Sequence, residues 1–147
     1  MKTILRRSNG NRRRGSGMLE TALLSMIFSA MLIGTFDFGQ FLFVHQALVE
    51  RARSAARWGG LKGGTDLTGT RNMVLYNQSA TPSVGTATYF GLEPSMVTVT
   101  LDDANTNDKR LTLAIDNYPY KMISPYTAGT YTGPRILVSV PLGNKEY

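Results

Sequence analysis

The chain has 147 residues, enough for a single small domain, and a formal net charge of +6. It contains no cysteine, which excludes a disulfide framework, a thiolate metal site and a cysteine nucleophile. Six basic residues and no acid lie in residues 1–15, and the ten basic and ten acidic residues that remain balance each other, so the basic stripe typical of a nucleic-acid-binding protein is absent.

A basic leader and a long apolar segment open the chain. No residue in the range 21–36 is charged, and the apolar character continues to Val44 with only Asp37 and Gln40 as strongly polar interruptions. A helix over about residues 18–44 would be roughly 40 Å long, which is enough to cross a bilayer core of about 30 Å. The pattern therefore predicts one membrane-spanning helix.

Two other interpretations of the apolar segment fit less well. A secretory signal peptide has similar basic and apolar regions, but Asp37-Phe38-Gly39 stand where a small-x-small cleavage site is expected. A buried core helix would need more chain to cover it, because the segment is apolar on all sides.

The distribution of basic residues predicts the orientation of the span. Six basic residues precede it and four follow it closely, at Arg51, Arg53, Arg57 and Lys62. The excess favours a cytoplasmic N-terminus and an exported C-terminal domain.

The junction between leader and span carries Gly15-Ser16-Gly17 and then Glu20. A carboxylate at the start of a spanning helix costs a few kcal/mol unless it is paired, although the helix dipole favours negative charge there. One interpretation is a flexible glycine linker followed by a helix-start carboxylate; the other is a processing site.

The junction resembles the signal of type IV prepilins, in which a prepilin peptidase cuts after a glycine that follows a basic leader. In that family the fifth residue of the mature chain is a glutamate. Cleavage after Gly15 would make Ser16 the first mature residue and Glu20 the fifth. The resemblance thus implies processing between Gly15 and Ser16, and pairing of Glu20 with the new amine of its own chain or of a neighbouring subunit.

The wider segment is similar to the TadE-like family of pseudopilins, which serve tight-adherence (Flp) pili and related secretion loci. The similar residues are Glu20-Thr21-Ala22-Leu23-Leu24, Gly34, Phe36-Asp37-Phe38-Gly39-Gln40, Ala47-Leu48, Arg51-Ala52 and Ala55-Ala56-Arg57-Trp58-Gly59. The resemblance implies a minor pilin or pseudopilin of the bacterial inner membrane, with a periplasmic or extracellular domain. Its implied partners are inner-membrane lipid, prepilin peptidase, other pilin or pseudopilin subunits and the assembly platform, with no nucleic acid and no small-molecule substrate. The alternative is an uncleaved single-pass anchor whose outer domain acts as a scaffold or sensor.

The N-terminal helix is predicted over residues 16–58. From Phe38 to Ala56 apolar residues recur at three- and four-residue steps, which indicates one apolar stripe beyond the membrane. The stripe is expected to pack against the chain's own sheet or against other subunits. Both contacts are possible at different positions along the helix. Gly59-Gly60 are predicted to end the helix.

Residues 59–147 are predicted to form a small extracytoplasmic domain. Asp66 is expected to cap a short helix over about Leu67–Tyr76. Alternating residues predict a hairpin of strands 97–101 and 111–115 and a third strand at 136–140, ended by Pro141. Helix followed by antiparallel strands predicts an α+β fold of the pilin type.

The sequence offers little catalytic or metal-binding chemistry. His45 has no metal-ligand partner at a suitable spacing, which favours a packing or interfacial role. The Asp/Asn cluster at 102–108 lacks the glycine and terminal glutamate of a calcium-binding EF-hand loop, so a solvated turn is favoured over bound Ca²⁺. We therefore expect no enzyme activity, no metal and no cofactor.

Two further features remain open at this stage. Asp37, near the outer end of the span, is expected either to pair with a neighbour or to reach the membrane interface. Four tyrosines (118, 120, 126 and 131) are expected to close a small sheet or to form a partner surface.

Overall fold

The computed structural model describes residues 12–102, 109–122 and 130–142, and it has the predicted α+β fold. Helix α1 (Arg12–Leu61) is followed by helix α2 (Leu67–Tyr76) and by two single-turn 3₁₀ helices, Tyr89–Gly91 and Pro94–Met96. The strands are β1 (Val97–Asp102), β2 (Arg110–Ile115), β3 (Pro119–Lys121), β4 (Thr130–Thr132) and β5 (Ile136–Pro141).

Helix α1 is a continuous helix of 50 residues, about 75 Å long. It contains no proline, and its Leu, Ala, Met and Arg residues favour helix. It includes the predicted range 16–58 and extends beyond it at both ends. The most apolar 18-residue window of this helix is not buried by the chain at all, so the interpretation as a buried core helix is wrong.

The end of α1 differs from the prediction in a way that explains its glycines. The helix runs through Gly59-Gly60 and ends at Leu61. The amide of Gly63 donates to the carbonyl of Gly60, and the amide of Gly64 donates to the carbonyl of Gly59. Gly63, at φ +66°, takes the left-handed conformation that this Schellman arrangement requires. The second glycine pair therefore ends the helix.

Gly59 has a packing role instead. A Cβ atom at this position would lie 2.5 Å from Oγ1 of Thr70 and 2.6 Å from Cδ2 of Leu111. The missing side chain lets α1 approach α2 and β2 closely.

Helix α2 has the bounds and the cap predicted for it. Asp66 accepts a hydrogen bond from the amide of Gly69 at 2.6 Å, which satisfies one of the free donors at the helix start. Asn77 ends the helix in the left-handed conformation.

The three predicted strands form one antiparallel sheet in the order β1-β2-β5. Leu113 of β2 lies opposite Val99 of β1 and Val138 of β5. The third strand extends one residue further than predicted, since Pro141 is its last residue. Pro141 lies opposite Arg110, on a strand with only one partner, where a missing amide is tolerated.

The core lies between the outer half of α1 (residues 38–61), helix α2 and one face of this sheet. Its fully buried members include Leu48, Ala52 and Ala55 from α1, Val74 and Leu75 from α2, and Val97, Leu113, Ile115 and Ile136 from the strands. Burial of each large aliphatic side chain contributes about 1.5–3 kcal/mol. The outer half of α1 therefore shares one core with the sheet, and the predicted packing of the stripe on the chain's own sheet is confirmed there.

Strands β3 and β4 form a second, two-stranded sheet that was not predicted. They pair antiparallel, with Tyr120 opposite Tyr131. Each strand has only three residues, so neither shows the alternation by which longer strands are recognised.

Candidate functional site

The predicted processing junction lies in the first turns of α1. Gly15 and Ser16 are exposed, and nothing lies within 4 Å of a Cβ built on Gly15 or Gly17. The segment is helical, so the interpretation as a flexible linker is wrong. Two glycines in one helical turn nevertheless cost about 1 kcal/mol each relative to alanine, which makes this end of α1 easy to unwind. Residues 1–11, and the side chains of the three arginines that follow them, lie outside the described part of the chain.

Ser16 and Glu20 lie on the same face of α1. They are four residues apart, a spacing that brings helical side chains within reach of each other. Glu20 is exposed, so its carboxylate is open to a partner on its own helix or on another chain. The arrangement is compatible with pairing between Glu20 and an amine at Ser16.

The inner half of α1 exposes a band of large apolar side chains. Eight of them are between 58% and 77% exposed: Met18, Leu19, Leu23, Leu24, Met26, Ile27, Phe28 and Met31. An apolar surface of this extent is typical of contact with lipid or with another protein.

Two threonine hydroxyls on this half of α1 are satisfied by the helix itself. The hydroxyl of Thr21 donates to the carbonyls of Gly17 and Met18, each at 3.0 Å, and that of Thr35 donates to the carbonyl of Met31 at 2.8 Å. A helix in hydrocarbon requires this, because no water is available there.

Asp37 stands where the exposed band meets the outer domain. Its side chain is only 8% exposed, although the flanking Phe36 and Phe38 are 71% and 62% exposed. Met122 and Tyr131 line a shallow cavity of about 390 Å³ with Asp37 and neighbouring residues of α1. The small sheet of the outer domain therefore extends along α1 as far as Asp37.

One side of α1 is held by aromatic contacts from the small sheet. The ring of Phe41 lies 4.6 Å from that of Tyr120 and 6.1 Å from that of Tyr131, between centroids. Nδ1 of His45 is hydrogen-bonded to the Tyr120 hydroxyl at 2.9 Å. His45 thus packs against the small sheet, as its isolation in the sequence suggested. Burial, and secondarily the charge that Tyr118 carries when ionised, raises the pKa of Tyr120 to about 12.

The other side of α1 is held by the turn at Tyr89–Gly91. The rings of Phe43 and Phe90 meet edge to face, 6.2 Å apart. Phe90 has φ +50°, an uncommon value for an aromatic residue, and its carbonyl accepts a hydrogen bond from the Tyr118 hydroxyl at 2.7 Å. The guanidinium of Arg51 lies 4.2 Å above the ring of Tyr89.

These contacts from both sides form an aromatic collar around α1, made of Phe41, Phe43, Phe90, Tyr120 and Tyr131. Phe41 and Phe43 are about 200° apart around the helix, so the two arms of the collar approach from nearly opposite directions. Sequence reasoning identified the tyrosines as possible closing residues but missed the collar. Its partners are 47 to 90 residues apart along the chain, and no local pattern connects them.

The described residues contain no group of three or more histidines or acids that could hold a metal. Asp103–Asp108, on which the calcium alternative depends, and Tyr126 lie outside the described ranges.

Comparison with known proteins bears on α1 alone. Residues 15–57 match the model of the TadE-like protein family, which confirms the resemblance drawn from the sequence. The match begins at the predicted processing residue and ends in the buried outer half of the helix. No curated protein and no solved structure matches the chain.

Proposed function

From the TadE-like match of residues 15–57, we propose that this chain is a minor pilin or pseudopilin of a tight-adherence pilus or a related secretion system. It is anchored in the bacterial inner membrane by the inner half of α1, with its N-terminus cytoplasmic and its sheet domain periplasmic. Prepilin peptidase processes it after Gly15, and it then takes part in pilus assembly without catalysing a reaction.

One observation carries the proposal: the matched segment coincides with an unbroken helix whose inner half exposes apolar side chains throughout. Among the residues that the structure describes, one helix could span a membrane, and the matched segment lies within it. Lipid supports that apolar band before assembly, and helices of other subunits replace it in the assembled pilus.

Substitution of Gly15 tests the processing step. We expect Gly15→Ala to leave an unprocessed precursor in cells that contain a prepilin peptidase, because the enzyme must place the glycine backbone closely in its site. Gly17→Ala is the matched control, since Gly17 is equally exposed and helical but lies beyond the cut. The readout is the mass of the N-terminal peptide. Normal cleavage of Gly15→Ala, or equal loss in both variants, would count against the proposed site.

The second candidate function is an uncleaved anchor with a scaffold or sensor domain. It is favoured by the collar, which attaches the outer domain firmly to the helix whether or not a leader is removed. An N-terminal peptide of precursor mass in the wild-type chain, with the peptidase present, would select this alternative.

A further inference from the structure

Three collar residues remain substantially exposed. Phe43 is 67% exposed, Tyr131 is 53% exposed and Phe90 is 41% exposed. Phe43 and Phe90 contact each other on one side of α1, and Tyr131 lies on Phe41 on the other side. The exposed rings are thus distributed around the helix.

The height of these rings on α1 matches the outer boundary of a bilayer. Phe43 lies 25 residues beyond Met18, an axial distance of about 38 Å, or roughly 35 Å at a usual helix tilt. The hydrocarbon core takes about 30 Å of this length. With Met18 at the inner boundary, Phe43 lies a few ångströms beyond the core, in the zone where aromatic side chains are enriched, and Tyr131, which lines a cavity with Asp37, lies close to the edge of the core.

The backbone of Phe90 is held in a costly conformation that keeps its ring outside the core. A left-handed φ costs a residue with a side chain about 1 kcal/mol or more. The Tyr118 hydroxyl holds the carbonyl of Phe90, and Gly91 continues the turn at φ +71°. This conformation sets the Phe90 ring against the exposed ring of Phe43 at the end of the apolar band.

We propose that the collar is a membrane-interface contact: Phe43, Phe90 and Tyr131 insert into the headgroup boundary of the outer leaflet and seat the sheet domain directly on the bilayer. The proposal rests on the membrane span of the proposed function. The exposed rings of Phe36 and Phe38 lie on α1 between the apolar band and the collar, and the exposed collar rings lie on both sides of the helix, as contact with a surrounding lipid layer requires.

Tryptophan fluorescence in lipid vesicles tests the proposal. The chain has one tryptophan, Trp58, so a Trp58→Phe background carries a single reporter in each of three variants. These are Phe90→Trp in the collar, Phe28→Trp in the span, and Val84→Trp at a fully exposed loop position that serves as the aqueous control. Each full-length variant is placed, at high dilution, in vesicles of phosphatidylethanolamine and phosphatidylglycerol. The lipids are brominated either near the headgroup or in mid-chain.

We expect headgroup-proximal bromine to remove roughly half of the Phe90→Trp emission, as for a side chain inserted at the headgroup boundary. Mid-chain bromine should quench Phe28→Trp, and only aqueous iodide should quench Val84→Trp. Quenching of Phe90→Trp by iodide alone, with Phe28→Trp still quenched by bromine, would overturn the interface contact and leave the span intact. Absence of bromine quenching in Phe28→Trp would instead overturn the span. A Phe90→Trp signal that becomes protected only as the protein-to-lipid ratio rises would assign the collar to a second copy of the chain and also overturn the proposal.

Discussion

Glu20 and Tyr120 are two polar side chains that lie in opposite environments, one exposed and one buried. Glu20 is exposed near the N-terminal end of α1, where its carboxylate is accessible to a partner. Tyr120 is 3% exposed in the collar, where its neutral form is hydrogen-bonded to His45. Each residue yields a prediction about charge.

We predict that Glu20→Ala leaves cleavage after Gly15 intact but strongly reduces pilus assembly, since the new amine of Ser16 or of a neighbouring subunit loses its partner. Glu50→Ala serves as the control, because Glu50 is an exposed acid on the same helix whose ion pair with Arg53 is a surface contact of little energetic weight. Piliation is measured by shearing and immunoblotting. Normal piliation of Glu20→Ala would remove this carboxylate from the mechanism.

The raised pKa of Tyr120 makes folding stability depend on alkaline pH. The unfolded chain loses the phenolic proton near pH 10, whereas the folded chain keeps it to about pH 12. The stability due to this group is therefore complete below pH 10 and is lost as the pH rises through about 12. In detergent at pH 8, Tyr120→Phe should have a lower Tm than the wild type, because it loses a hydrogen bond worth roughly 1 kcal/mol of unfolding free energy. Above pH 10 its Tm should decline less steeply than that of the wild type.

Tyr131→Phe is the control for that measurement, because Tyr131 lies across the small sheet from Tyr120 but is half exposed. It should retain the wild-type decline of Tm. An equally steep decline in Tyr120→Phe and in the wild type would show that the burial of Tyr120 does not govern the alkaline transition.

The secondary-structure elements illustrate which features can be predicted from local sequence. Asp66 at the start of α2, and the alternation in β1, β2 and β5, are local signals, and those elements were predicted to within one or two residues. The end of α1 was misplaced because two glycine pairs follow each other and only tertiary packing distinguishes them. Strands β3 and β4 were missed because their pairing depends on Tyr120 and Tyr131 closing on Phe41, a contact between distant parts of the chain.

The packing role of Gly59 leads to a paired prediction. Gly59→Ala should lower the free energy of unfolding by about 1–3 kcal/mol, since the new methyl group would overlap Thr70 and Leu111. Gly60→Ala meets only Cγ1 of Val140, at 3.3 Å, and gains about 1 kcal/mol of helix propensity, so we expect a change near zero or a small stabilisation. Denaturant unfolding in detergent measures both. Equal destabilisation would indicate that the pair acts as a helix terminator after all.

At the scale of the whole molecule, α1 serves two environments with one continuous element. Its inner half is apolar on all sides and uncovered, and its outer half supplies Leu48, Ala52 and Ala55 to the core. The family match covers the inner half of α1 and most of its outer half. The sheet domain lies outside the match, and no solved structure matches it, so its description depends on the packing seen in this structure.

Truncation separates these two roles. A chain that starts at Phe38 should fold in water with the same sheet, because it keeps every α1 residue of the core and loses the apolar band. A chain that starts at Lys62 should not fold, because the sheet and α2 lose the buried residues of α1. Circular dichroism and amide hydrogen exchange distinguish the two. A stable, protected fragment from Lys62 onward would show that the sheet does not need α1.

The absence of any break in α1 has a mechanical consequence. No proline interrupts the helix, and the collar attaches the sheet domain to α1 just beyond Asp37. Helix α1 and the sheet domain are therefore expected to move together. A tilt of about 20°, common for helices that span membranes, would therefore tilt the sheet by the same angle. A force applied to α1 near Glu20 is likewise transmitted along the helix axis to the sheet domain with little extension of the helix.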